Sequence, residues 1–207
     1  LYPPCSDITM IIGVTGLRVP RHTAPVLVPP PPRRWFASDN AAGAHPRVLE
    51  ALVGANDGHA LAYGQDDWTR RATLAFSELF DRDVEVLFTF GGTGANVVAL
   101  SCILPPAHAV ACSRWAHVAV DEAGAPERFL GAKLVLLDSV DGTVSPDAVQ
   151  GLRPMFGSQH HAPPGVLSLT QVTEMGAVWS ADALRETCAA ARELGMAIHL
   201  DGARIAN

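Results

Sequence analysis

Apolar positions along the chain follow two alternating rhythms. In PRVLEALVGAN the residues Val48, Leu49, Leu52 and Val53 share one face at helical spacing, and Pro46 suits the first helical turn. In DDWTRRATLAFSELF the same period runs through Trp68, Ala72, Ala75, Phe76, Leu79 and Phe80. Both stretches are predicted to be helices packed against a sheet. Shorter apolar runs then take over. VEVLFTF reads as a buried strand, GGTG as a turn, and ANVVALSCIL as a helix stopped by Pro105 and Pro106. AVAC, KLVLLD, GVLSLTQ and MAIHLD read as further strands. Between the last two, Ser180 is a suitable N-cap and Gly195 a suitable C′ residue for the helix ADALRETCAAAREL. Strand and helix alternating in this way predict an α/β fold, a mostly parallel sheet with helices on both faces. Ligands of such sheets gather at the carboxyl ends of the strands.

Ahead of this pattern, residues 1–34 are rich in proline and include PVLVPPPPRR. Proline removes amide donors and stiffens the chain, so this segment is expected to be a disordered leader, with a proline-rich ligand for a partner domain as the alternative. Residues 35–207 are expected to form one domain, and the opening on Leu1 instead of methionine suggests that the chain is a fragment.

Charge and cysteine content narrow the partners. A net charge of −6 and a pI near 5.7 argue against nucleic acid or an anionic membrane surface and favour a small molecule. ITMIIGVTGL is the longest apolar run near the N-terminus and falls short of the roughly 20 residues a membrane span needs. Cys5, Cys102, Cys112 and Cys188 are too scattered for a metal pair or a disulfide framework, which suggests a cytoplasmic protein with buried thiols. No metal site is expected, and His160-His161 reads as part of a polar loop.

Three places carry candidate chemistry. Gly92, Thr93 and Gly94 stand where a strand should give way to a helix; small residues and unpaired N–H groups there suit an anion, although such turns are also common as plain tight turns. His117 follows a predicted strand on the same side of the sheet, either as an ordinary hydrogen-bonded histidine or as a site residue. Asp121 and Glu122 beyond it read as a solvated helix face. Asp201 ends an apolar strand and needs a cation; Arg204 offers a structural pair, while the sharper reading gives Asp201 a protonated ring nitrogen and Arg204 an oxygen or carboxylate. Gln171, Thr173 and Glu174 lie at the carboxyl edge of another strand, where substrate contacts gather.

Taken in order, FASDNAAGAHPRVLEAL, AYGQDDWT, GGTGAN, WAHVAVDEAG and HLDGARIAN resemble successive blocks of the pyridoxal phosphate dependent threonine aldolases, in the β-eliminating lyase superfamily of fold type I. The resemblance runs from about Phe36 to Asn207 and implies the large domain of such an enzyme. It implies a lyase that splits a β-hydroxy-α-amino acid such as threonine into glycine and an aldehyde, acting as a homodimer or homotetramer. By the same resemblance Gly92, Thr93 and Gly94 bind the cofactor phosphate, His117 stacks on the pyridine ring, and Asp201 meets the ring nitrogen. Arg204 lies near the ring oxygen and the substrate carboxylate, Ser38 near that carboxylate, and Tyr63 reaches the site of a neighbouring subunit. The family often has a longer polar residue where Gly94 stands.

Enzymes of this type hold the cofactor aldehyde as a Schiff base on a lysine. The only lysine here is Lys133, ahead of the strand KLVLLD, and the family carries its own after the DGAR block. The catalytic lysine is therefore expected beyond Asn207. A β-eliminating amino-acid lyase on the same scaffold, or a non-catalytic binder of the phosphate ligand, remain the alternatives.

Overall fold

The computed structural model describes residues 41–205. The proposed leader and Ser38 lie outside them. The chain divides into two compact units, Leu1–Ala60 and Leu61–Asn207. In the first, α1 spans Pro46–Ala55, with the His45 ring accepting a hydrogen bond from the Arg47 amide. None of its residues is buried.

The second unit holds the sheet. Its elements run α2 (Asp67–Phe80), α3 (Gly92–Ile103), β1 (Ala109–Ser113), α4 (His117–Val120), α5 (Ala125–Leu130), β2 (Leu134–Leu137), α6 (Pro146–Gln150), β3 (Pro164–Thr170), α7 (Ala181–Glu193) and β4 (Ala197–Asp201). The four strands are parallel in the order β2-β1-β3-β4. The chain steps from β1 outward to β2 and then to the other side of β1 for β3, so the strand order reverses between β1 and β3. That reversal opens a crevice at the carboxyl edge.

Side-chain alternation sorts the strands onto two cores. Ala111, Leu137, Leu167 and Leu169 face α6 and α7, where Val149, Ala190 and Ala191 close the layer with Trp179. Val110, Cys112 and Val166 face the other way, onto Leu100 of α3, Val118 of α4 and Leu130 of α5. Strand β3, flanked on both sides, is buried along its whole length. The helix between β3 and β4 starts and stops where the sequence indicates: the Ser180 hydroxyl accepts from the Ala183 amide at 3.1 Å, and Gly195 adopts φ +76°.

Two expectations fail here. VEVLFTF forms no strand: it pairs with none of β1 to β4, and Leu87, Phe88 and Phe90 are exposed. An apolar run becomes a strand only when a neighbour supplies N–H and C=O partners, and the run itself does not reveal whether one exists. Helix α2 forms as predicted, capped by Asp66, yet buries none of its residues. The thiols also differ from expectation, since Cys112 is buried but Cys102 is exposed. Burial pushes the Cys112 thiol up to about 12.

Past β2, Val140 to Thr143 make a tight turn closed by paired backbone hydrogen bonds, with Asp141 and Gly142 both at positive φ. The Asp141 carbonyl accepts from the Thr173 hydroxyl at 2.6 Å, which ties the turn to the segment after β3. Gly142 has φ +84°, and a Cβ there would stand 2.8 Å from the Thr173 Cβ. Gly142→Ala is therefore expected to destabilise the protein by about 1–3 kcal/mol, combining a strained backbone with a forced shift of Thr173. A denaturant midpoint checks this, with Gly157→Ala as the comparison: φ there is +76° but nothing lies within 4 Å of the added carbon.

Candidate active site

The glycine turn is the first turn of a helix. Gly91 is the N-cap of α3, and Gly92, Thr93 and Gly94 are its first residues. No side chain caps this end, so the first amides of α3 point outward unpaired. None of Gly91, Gly92 or Gly94 has positive φ. An added Cβ would meet nothing within 4 Å at Gly91 or Gly92, and only the Thr89 Cβ at 3.7 Å at Gly94. Neither backbone geometry nor packing among the described residues therefore requires glycine here. The feature left is open space in front of unpaired amides, which suits close approach by an anion.

Asn96 lies in the same first turns and is buried. Its Nδ2 donates to Asp201 Oδ2 at 3.1 Å and to Glu122 Oε1 at 2.7 Å. Two carboxylates can only accept, so this amide must present its NH2 group to both. At 1.5 Å of rise per residue, Asn96 lies roughly 3–6 Å along the helix axis from Gly92–Gly94, so it joins the first turns of α3 to Asp201. Asp201 Oδ1 accepts from the Ala203 amide at 3.0 Å. The structural pairing with Arg204 is not formed: Arg204 is exposed, and its guanidinium donates to the Val172 carbonyl at 3.2 Å, joining the segment after β4 to that after β3.

His117 begins α4 at the carboxyl end of β1. Its amide donates to Glu174 Oε1 at 2.9 Å, and its ring Nδ1 lies 2.8 Å from Glu122 Oε1. The ring is 41% exposed while the Glu122 side chain is fully buried. This corrects the sequence reading of Glu122 as solvated; Asp121 alone is exposed. A charge just past a short helix looks solvated in sequence, and only the fold brings Asn96 of α3 and the His117 ring against it.

The remaining candidates separate. Glu174 faces the crevice side through His117. Thr173 is buried and structural, donating to Asp141 and accepting from the Ala177 amide. Gln171 brackets Trp179, donating to its carbonyl and accepting from its amide. Tyr63 stands exposed in the turn before α2, with φ +61°, and touches none of this cluster. Lys133 is exposed and precedes β2, whose direction puts it at the opposite end of the sheet from Asp201. His160 and His161 lie in an exposed turn, and among the described residues no group of three or more His, Cys, Asp or Glu could hold a metal ion. No helix among them is long and apolar enough to cross a membrane.

Under the site, Cys112, Ser168 and His199 sit side by side on neighbouring strands, facing α3. His199 Nδ1 is 2.8 Å from the Ser168 hydroxyl. Burial holds the His199 imidazole below its ordinary 6.5, against the opposing pull of the Asp201 and Glu122 carboxylates. The unfolded chain therefore takes up this proton first as pH falls, so stability should decline below about pH 6.5 and level off below the folded value. Melting midpoints of the cofactor-free protein across that range check this, and His199→Asn should flatten the slope.

A parallel α/β sheet with an open helix N-terminus, a carboxylate and a histidine gathered at one carboxyl edge defines the class: a parallel α/β protein with its polar groups at the strand ends. The chain belongs to the beta-eliminating lyase family, whose pattern matches residues 36–207. It is 44% identical over 173 residues to the low specificity L-threonine aldolase of Pseudomonas aeruginosa, covering 83% of this chain and 50% of that protein. It is equally similar, at 44%, to the enzyme of the same name from Pseudomonas sp. strain NCIMB 10558. Among solved structures, the threonine aldolase of Leishmania major superposes with a TM-score of 0.75 at 31% identity, covering 79% of this chain and 48% of that one. The chain thus spans about half the length of the curated relatives it matches. Its architecture is that of the large domain of a fold type I pyridoxal phosphate enzyme, as the family resemblance implied, with the parallel sheet that the strand and helix order led one to expect.

Proposed function

We propose that the whole protein is a pyridoxal phosphate dependent lyase of the threonine aldolase kind, cleaving a β-hydroxy-α-amino acid such as threonine to glycine and an aldehyde. One observation carries this reading. Two glycines that nothing in the fold requires open the end of α3, and Asn96 ties that helix to a carboxylate at the end of β4. The donor set fits the cofactor. Backbone amides and the Thr93 hydroxyl suit a phosphate, and a carboxylate set back in the crevice suits a protonated ring nitrogen. When bound, the cofactor supplies an electron sink for the carbanion left as the Cα–Cβ bond parts.

The chain's own residues bind and orient. Gly92, Thr93 and Gly94 hold the phosphate, Asp201 holds a proton at the ring nitrogen, and His117 lies against the ring. Arg204, exposed beside the crevice, takes the substrate carboxylate once its guanidinium turns from Val172. Ser38 assists there, and Tyr63, exposed and facing no neighbour of its own, serves the site of a second subunit in a homodimer or homotetramer. Lys133 is excluded from the site by its place at the far end of the sheet. The exposed free thiol of Cys102 is compatible with a reducing, cytoplasmic setting. Incubating the full-length protein and cofactor with threonine should yield glycine and acetaldehyde in equal amounts. Ammonia and a keto acid would instead mean β-elimination, and no product from any β-hydroxy amino acid would defeat the lyase reading.

A further inference from the structure

Among the described residues, Glu122 alone carries a buried side-chain polar atom with no hydrogen-bond partner. Its side chain is fully buried, Oε1 takes hydrogen bonds from both Asn96 Nδ2 and His117 Nδ1, and Oε2 has no partner among the described residues. Leaving a buried carboxylate oxygen unpaired is unfavourable, so a fold that retains it does so for what the other oxygen does. That oxygen meets three elements at once: α4 through His117, α3 through Asn96, and, one amide further, β4 through Asp201.

We propose that Glu122 is the positioning residue of this site: Glu122 Oε1 fixes the proton of the His117 ring on Nδ1, turning Nε2 toward the crevice, and through Asn96 it fixes the rotamer of the Asp201 carboxylate. A carboxylate accepts and does not donate, so the ring nitrogen facing it carries the hydrogen. An in-plane bond at Nδ1 also stops rotation of the ring about its Cβ–Cγ axis, which sets the plane a stacked ligand would meet. The Glu174 bond to the His117 amide fixes the backbone of the same residue, so the ring is held from both ends. Asn96 works as a spacer. It keeps Glu122 and Asp201 apart while giving each one hydrogen, and the two bonds leave its amide a single orientation.

This rests on the reading of His117 and Asp201 as cofactor-facing groups, but its first test needs no cofactor. Neutron diffraction from crystals of the full-length, cofactor-free protein at alkaline pH, where an unperturbed imidazole is neutral, should place the hydrogen of His117 on Nδ1. Hydrogen on Nε2 with a bare Nδ1 would overturn the proposal, whatever the protein's lyase activity proves to be. The second test is the equilibrium binding of pyridoxal phosphate to full-length Glu122→Gln and Glu122→Ala proteins. Glutamine keeps an acceptor at Oε1 and should bind within about two-fold of wild type, whereas alanine should bind roughly ten-fold more weakly. Alanine binding like wild type, or glutamine as weak as alanine, would refute positioning by Oε1. Should the alanine protein not fold, the hydrogen position and the glutamine protein decide the matter alone.

Discussion

Asp201→Ala in the full-length protein is expected to lower kcat for threonine cleavage by about 10²–10³-fold and to weaken pyridoxal phosphate binding in parallel. Removing one partner of a desolvated charge pair costs about 3–5 kcal/mol, and each 1.4 kcal/mol is tenfold; the part-exposed position of Asp201 trims that toward the lower end. Asp201→Asn should be nearly as inactive, because it keeps an acceptor for the Ala203 amide but cannot hold a proton at a ring nitrogen. The stability of the cofactor-free protein should change far less. Asp201 and Glu122 reach one Asn96 nitrogen at 3.1 and 2.7 Å, so their oxygens are no more than about 6 Å apart. Removing one of two like charges relieves that crowding, while an asparagine that keeps its oxygen on the Ala203 amide sets its NH2 against the NH2 of Asn96; the two effects oppose, and the asparagine variant should melt within a few degrees of wild type. Steady-state kinetics, cofactor titration and thermal melts together check this. Activity of Asp201→Asn within a few-fold of wild type would remove Asp201 from the chemistry.

Leu167→Ala should produce the largest loss of stability. Leu167 is fully buried in β3, the strand flanked by β1 and β4, and belongs to the core formed with Val149, Trp179 and Ala191. Truncating such a side chain leaves a cavity that a central strand cannot close, costing about 2–5 kcal/mol. For a protein of this size that lowers the melting temperature by about 5–15 °C. Leu136→Ala is the control. Leu136 is 53% exposed on the edge strand β2, and its truncation should cost under about 1 kcal/mol. Chemical denaturation of both variants separates the two cases; equal losses would mean that β3 is not the centre of the core.

The same contrast marks what could be read from residues alone. Period and punctuation were sufficient for β1 to β4, for α1, α2 and α3, and for the caps of α7, because local backbone preferences and apolar spacing act within a few residues. The blocks from GGTGAN to HLDGAR stand at helix starts and strand ends, so their order alone places Gly92, Thr93, Gly94, His117 and Asp201 toward one edge of a parallel sheet; the roles given to them and to Arg204 come from the family resemblance. Burial and partnership lay outside that reach. VEVLFTF has the composition of a strand but no partner, α2 has an amphipathic face that nothing described covers, and Arg204 turns to Val172 instead of Asp201. Asn96 and Glu122 gave no signal of their own. The residues that Asn96 joins are separated by 26 and 105 positions, and only the folded sheet brings Glu122 and Asp201 to one amide. Sequence determined which residue types stand at the carboxyl edge; tertiary structure decided which charge was buried and which groups shared hydrogen bonds, because those depend on distances that only the packing of α3 against β4 sets.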